Sequence, residues 1–171
     1  METQKMTPGK FAMNYGLILG LVMIAIAVVT YVTGMALEGV QWPQWLYYII
    51  FPVVVIYAIS QYKKSNGNLL RLGEAIKIGV LIGVISAIVY VIYGLIFNYI
   101  IDPEFMDLMK EAVRDKMLEN PNMTEEIVDQ SMSMVEKFMD PIVGSSIWIA
   151  ASAFFGLIYS LIGGLIMKKE E

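Results

Sequence analysis

The sequence contains neither cysteine nor histidine among its 171 residues. Without cysteine, the chain can form no disulfide and offers no thiolate as a nucleophile or as a metal ligand. Without histidine, it lacks the most common metal ligand and the most common general base at neutral pH. We therefore expect no catalytic residues, no metal site and no cofactor, and the sequence predicts a protein that is not an enzyme.

Charged residues are also scarce, at 16% of the chain, whereas hydrophobic residues make up 57%. A soluble domain has about 25% charged and about 45–50% apolar residues. Four long segments contain no charged residue at all, and they cover residues 11–37, 42–62, 78–101 and 142–167. Each can cross a hydrocarbon layer of about 30 Å as an α-helix. The first segment is longer than the ~7–15 apolar residues of a secretory signal, so we expect a retained helix.

These segments predict an all-α membrane protein with four transmembrane helices, at about 11–37, 42–62, 75–101 and 142–167. The third helix is extended back to residue 75 because Ala75 and Ile76 continue its apolar pattern. We expect three parts: a tail with the first three helices (1–101), a polar segment (102–140), and the fourth helix with its tail (141–171).

The polar segment 102–140 holds 11 acidic and 4 basic residues. Two amphipathic helical patterns lie on either side of Asn120-Pro121-Asn122, and each is too short to be stable alone in water. Asp102-Pro103 and Asp140-Pro141 each predict a helix start with aspartate as the cap, and Thr124 can cap the second helix of the segment. We predict an amphipathic helical hairpin that packs on itself, on the membrane surface or on a partner.

The lysines and arginines outside this segment occur only before the first span, between the second and third, or after the fourth. They are Lys5, Lys10, Lys63, Lys64, Arg71, Lys77, Lys168 and Lys169. Because positive residues favour the cytoplasmic side, both termini are predicted to be cytoplasmic and the hairpin extracytoplasmic, in a bacterial inner membrane. The residues predicted to lie at the membrane interface are Trp42, Trp45, Lys63, Lys64, Lys168 and Lys169.

Small residues recur every four positions in three of the spans. They are Gly16 and Gly20 in the first, Gly79, Gly83 and Ala87 in the third, and Ser152, Gly156, Ser160 and Gly164 in the fourth. Such spacing lets helix backbones approach closely in lipid. The favoured interpretation is packing within one four-helix bundle, and the alternative is homodimerisation through an exposed ridge of small residues.

The four apolar segments contain no ionisable carboxylate, lysine or arginine, which argues against a proton-coupled carrier. Their deepest polar groups are the hydroxyls of Tyr57, Tyr90, Tyr93 and Tyr159, which we expect to form hydrogen bonds between helices. The polar segment also carries seven methionines, and thioethers can bind Cu(I). Since most of them fall on the apolar sides of its helices, packing is the favoured interpretation.

Several short motifs resemble those of a bacterial family of small four-span membrane proteins, common in Bacteroidota, whose domain has no assigned function. The motifs are Asn14-Tyr15-Gly16 with Gly20, Tyr31-Val32-Thr33-Gly34, Ala75-Ile76-Lys77-Ile78-Gly79, Asp102-Pro103-Glu104-Phe105, and the turn Asn120-Pro121-Asn122-Met123-Thr124-Glu125-Glu126. The resemblance covers nearly the whole chain and implies an inner-membrane protein. Because the motifs are structural, it implies no activity and no site residues.

The leading functional hypothesis is a non-enzymatic interaction or scaffold protein whose acidic hairpin contacts a partner protein. The alternative is a small transporter or channel component that acts as an oligomer. The expected partners are membrane lipids, a protein at the hairpin and further copies of the chain, and no nucleic acid.

Overall fold

The structure, a computed structural model, describes residues 7–169. Six α-helices follow one another in this range: α1 (Pro8–Val32), α2 (Trp42–Ser65), α3 (Leu72–Ile96), α4 (Phe105–Leu118), α5 (Glu125–Met139) and α6 (Pro141–Met167). A π-helical turn, Phe97–Ile101, continues α3 directly. The predicted tail residue Lys5 lies outside the described residues, as does everything in 1–6 and 170–171.

Four of the described helices are long and apolar enough to cross a membrane. α1 has 25 residues, α2 has 24, α3 with its π-helical turn has 30, and α6 has 27. Their outer faces expose large apolar side chains such as Leu21, Ile49 and Ile166. Helices that are apolar all round suit lipid as their solvent. The prediction of an all-α membrane protein with four spanning helices is confirmed.

The first spanning helix ends at Val32, five residues before the end of the predicted segment at Leu37. Thr33 Oγ1 turns back to donate a hydrogen bond to the carbonyl of Val29 at 2.6 Å. Gly34 then adopts φ +75°, a left-handed conformation that glycine tolerates because it has no Cβ. Residues 33–39 therefore form turns, although residues 33–37 carry no charge.

Helix α3 lies at the centre of the bundle. Its contacts with α6 and with α1 are more extensive than those of any other pair of described helices. α1 runs parallel to α3, since Gly16 contacts Ile85, and Gly20, one turn later in α1, contacts Val89, one turn later in α3. α6 runs antiparallel to α3, and α2 packs between α1 and α6 with smaller contacts.

At one end of the bundle, the α2–α3 loop meets the C-terminal end of α6. The N–H groups of Leu70 and Lys169 each donate to the carbonyl of the other at 3.0 Å. Lys63 Nζ donates to the carbonyl of Met167 at 2.7 Å. We call this the basic end, because it gathers Lys63, Lys64, Arg71, Lys77, Lys168 and Lys169 together with the start of α1 near Lys10. The opposite end, which carries α4 and α5, is called the acidic end.

The starts of the helices at the acidic end agree only in part with the predicted caps. Thr124 Oγ1 accepts a hydrogen bond from the N–H of Ile127, and Asp140 Oδ1 accepts from Ile142 and Val143 at 3.0 and 2.9 Å. These two predictions are confirmed. The prediction for Asp102 is wrong: α4 begins at Phe105, and the Asp102 carboxylate accepts from the Tyr31 hydroxyl instead of capping the helix.

Helices α4 and α5 contact each other beside the membrane-spanning bundle. Arg114 and Asp129 form an ion pair between them, with Nη1 and Oδ1 2.6 Å apart. Val128 and Met132 on α5 are buried. Both helices are strongly amphipathic, as their sequences predict.

Candidate functional site

The predicted small residues of α3 and α6 lie against each other. Gly79 faces Gly156 and Ser160, Gly83 faces the main-chain carbonyl of Ser152, and Gly164 faces Ala75 and Leu72. A methyl group added to Gly79 would come within 2.6 Å of Ser160 Oγ. Ser152 and Ser160 are buried. Since α3 of the same chain covers this ridge of α6, a second copy of the chain would have to bind elsewhere.

The small residues of α1 lie against the other side of α3. A methyl group added to Gly16 would come within 2.8 Å of Ile85 Cβ, and one added to Gly20 would come equally close to Val89 Cβ. Ala87 of α3 is fully buried. Two faces of α3 are therefore packed at close backbone distance.

The residues predicted for the membrane interface lie at opposite ends of the bundle. Trp42 and Trp45 are exposed at the start of α2, at the acidic end. Lys64, Lys168 and Lys169 are exposed at the basic end, where Lys63 is partly buried by its bond to Met167.

A cleft of about 900 Å³ lies at the acidic end, between the spanning helices and α4. Near the basic end, α1 and α2 touch through the rings of Phe11 and Tyr62, whose centroids are 5.7 Å apart. Towards the acidic end, side chains of α1 between Met23 and Tyr31 and of α2 between Pro43 and Tyr48 line the cleft instead. Ligand sites in proteins commonly enclose about 300–1,000 Å³, so the cleft is large enough for a small molecule or part of a lipid.

The wall of the cleft is rich in aromatic side chains. Nine of its lining side chains are Tyr, Phe or Trp, which makes its surface predominantly apolar. The ring of Trp148 packs against Tyr47 and Tyr90, with centroids 5.4 and 5.9 Å away. Tyr47 Oη also lies 3.5 Å from Ser152 Oγ, which ties α2 to α6 at the floor of the cleft.

Lys116 is the only charged side chain among the described residues that line the cleft. Its Nζ donates to the carbonyls of Glu38 and Gly39, each at 3.3 Å, and no carboxylate in residues 7–169 forms a salt bridge with it. Lys110, on the same helix, is different: its Nζ lies 2.8 Å from Asp107 Oδ1, and this hydrogen bond raises the pKa of Lys110. Lys116 therefore brings a positive charge to the cleft that no protein carboxylate neutralises by direct contact.

Trp148 carries a polar group without a hydrogen-bond partner in the described part of the chain. Its indole Nε1 is buried and has no hydrogen-bond partner among the described residues. A buried donor without an acceptor costs about 1–3 kcal/mol.

The sequence does not identify Lys116 or Trp148 as site residues. Nothing in their local pattern distinguishes Lys116 from a solvated lysine or Trp148 from a packed tryptophan.

The prediction for the tyrosine hydroxyls is wrong. Cross-helix bonds come from Tyr31, Tyr47 and Tyr62, whereas Tyr57, Tyr90, Tyr93 and Tyr159 form no side-chain hydrogen bond within the described part of the chain. In residues 7–169, no group of three or more acidic side chains is placed to hold a metal ion.

A family model described as a protein of unknown function, DUF4199, matches residues 14–169. This confirms the predicted resemblance to a family without an assigned function. No curated protein and no solved structure matches the chain.

Proposed function

We propose that the chain, which belongs to this family of proteins of unknown function, is a non-enzymatic interaction or scaffold protein of the bacterial inner membrane. In this proposal the basic end, with both termini, faces the cytoplasm, because lysine and arginine favour that side. α4 and α5 then stand outside the membrane, where they contact a partner protein.

The observation that carries the proposal is an uncovered apolar stripe on α5. Ile127, Met134 and Phe138 follow one another at spacings of seven and four residues, which places them along one line of the helix. They are 44%, 61% and 56% exposed. Glu125, Glu126 and Glu136 are exposed on the same helix. A partner with an apolar groove and a basic rim complements such a surface.

A photo-crosslinking amino acid at position 134 of the full chain, in native membranes, tests this proposal. We expect a crosslink to one partner protein, and we expect the Ile127→Glu substitution to abolish it by placing a charge in the apolar stripe. The same crosslinker at the exposed residue Asp115 on α4 is the control. A partner that remains associated after deletion of residues 102–140 would contradict the proposal, as would equal crosslinking from both positions.

The cleft favours a second candidate, a transporter or channel component that acts as an oligomer. A methyl group added to Gly94, which lines the cleft, has no atom within 4 Å, so Gly94→Leu fills the cleft without displacing its neighbours. For a transport function, liposomes that contain the purified chain must pass a solute, and this variant must slow the flux.

A further inference from the structure

We infer that the cleft binds one anionic phospholipid of the surrounding bilayer, with its phosphate beside Lys116 and an acyl chain among the aromatic rings. The cleft shares Phe138 with the α5 stripe, but its other lining residues lie outside the stripe, so this inference goes beyond the proposed partner and does not depend on it.

The charge of the cleft selects the sign of the head group. Residues 102–140 hold 11 acidic residues, yet none of them lines the cleft, whereas Lys116 does. Lys116 is exposed, and its two bonds are to neutral carbonyls, so an anion can approach its ammonium group without displacing a protein carboxylate. A head group with a net negative charge is therefore favoured over one whose phosphate is neutralised by its own ammonium group.

The apolar wall selects the rest of the ligand. Tyr47, Tyr90, Tyr93, Phe97 and Trp148 line the part of the cleft that lies between the spanning helices. Since these helices are surrounded by lipid, the amphiphile available to this wall is a bilayer lipid. An acyl chain of that lipid then packs against these rings, including that of Trp148.

The chain itself provides a reporter for this site. It contains three tryptophans, so replacing Trp42 and Trp45 by phenylalanine leaves Trp148 as the only indole. The full chain with these two substitutions is titrated in detergent with phosphatidylglycerol whose acyl chains carry bromine, which quenches indole fluorescence on contact. We expect saturable quenching of Trp148 at concentrations at which brominated phosphatidylcholine, the neutral control lipid, quenches only weakly.

Two pairs of variants separate a bound lipid from ordinary contact with the micelle. Lys116→Gln removes the charge but retains a donor for the Glu38 and Gly39 carbonyls, and we expect it to weaken binding of the anionic lipid two- to fivefold. Its control is Lys110→Gln, because Lys110 does not line the cleft. Gly94→Leu should abolish saturable quenching by filling the cleft. Its control is Gly73→Leu, at a glycine that also has no atom within 4 Å of an added methyl group but lies outside the cleft.

Weaker binding in Lys116→Gln and no saturable quenching in Gly94→Leu, with neither control affected, support the inference. Equal quenching by the anionic and the neutral lipid, unchanged in Lys116→Gln and Gly94→Leu, overturns it. A brominated fatty acid that saturates the site while phosphatidylglycerol does not also overturns it, because the ligand is then a single-chain carboxylate.

Discussion

The hydroxyl of Tyr31 donates a hydrogen bond of 2.7 Å to Oδ2 of Asp102. Tyr31 lies at the end of α1, and Asp102 follows the π-helical turn that ends the third span. The ring of Tyr31 also packs edge-on against Phe97 and Phe105, with centroids 4.8 and 5.2 Å away. This pair therefore joins two spanning helices at the point where the chain leaves them for α4.

Tyr31→Phe should loosen this junction, because it keeps the ring contacts and removes only the hydroxyl. We expect a loss of about 0.5–1.5 kcal/mol in the free energy of unfolding, since water can reach the partly buried carboxylate and replace part of the bond. Amide hydrogen exchange in α4 should become faster. Tyr57→Phe is the control, since Tyr57 is exposed and forms no hydrogen bond among the described residues. Equal exchange rates in the two variants would show that the bond does not hold α4.

Gly79→Leu should destabilise the bundle more than any substitution at an open glycine. An added side chain at Gly79 meets the backbone carbonyl of Gly156 as well as Ser160, and backbone cannot move aside easily. Overpacking of this kind costs about 1–3 kcal/mol, and occasionally more. The measurement is the thermal unfolding midpoint in detergent. Gly73→Leu is the control, because no atom lies within 4 Å of a methyl group added to Gly73. A midpoint that is unchanged in Gly79→Leu would contradict the close approach of α3 and α6.

The four spanning helices could be predicted from the sequence because each apolar segment is long enough to cross a bilayer without help from tertiary contacts. The caps formed by Thr124 and Asp140 could also be predicted, since each side chain accepts a hydrogen bond from an N–H group only three residues later in the sequence. The role of Asp102 could not be predicted in the same way. Its partner Tyr31 lies 71 residues away, and that interaction replaces the local cap.

The cleft could not be predicted for a related reason. Its size depends on how α1 and α2 separate beyond the contact of Phe11 with Tyr62, and hydropathy carries no information about that separation. The turn at Gly34 was missed because residues 33–37 are apolar enough to continue a span. Only the left-handed φ of Gly34 shows that the helix has ended.

The orientation of the chain in the membrane can be tested by labelling introduced cysteines, because the sequence has no native cysteine that would also react. Single cysteines at Asn122, between α4 and α5, and at Ser65, the last residue of α2 at the basic end, should react differently with a membrane-impermeant maleimide. We expect labelling at position 122 in intact spheroplasts and labelling at position 65 only after the membrane is permeabilised. The reverse pattern would place the basic end outside and contradict the proposed topology.

The ion pair of Lys110 with Asp107 should weaken under alkaline conditions, as Lys110 loses its proton. The hydrogen bond that Lys110 Nζ donates to Asp107 raises the pKa of Lys110, so the protonated lysine keeps its full stabilising contribution below the ordinary lysine pKa of about 10.4. This contribution disappears as the pH rises through the raised pKa. We expect Asp107→Asn to lower the pKa of Lys110, measured by NMR titration of a Lys110-labelled chain. An unchanged Lys110 pKa in the variant would contradict the pairing.

Asp140→Ala should loosen the start of α6, where the segment 102–140 returns to the membrane. The Asp140 carboxylate accepts from the N–H groups of Ile142 and Val143, and Pro141 follows it in the first turn. Loss of such a cap costs about 0.5–2 kcal/mol. Asp140→Asn keeps an acceptor oxygen and should retain most of the stability, whereas Asp140→Ala should lower the unfolding midpoint and speed amide exchange at residues 142–144. If Asn and Ala lower the midpoint equally, the negative charge rather than the cap geometry stabilises this helix end.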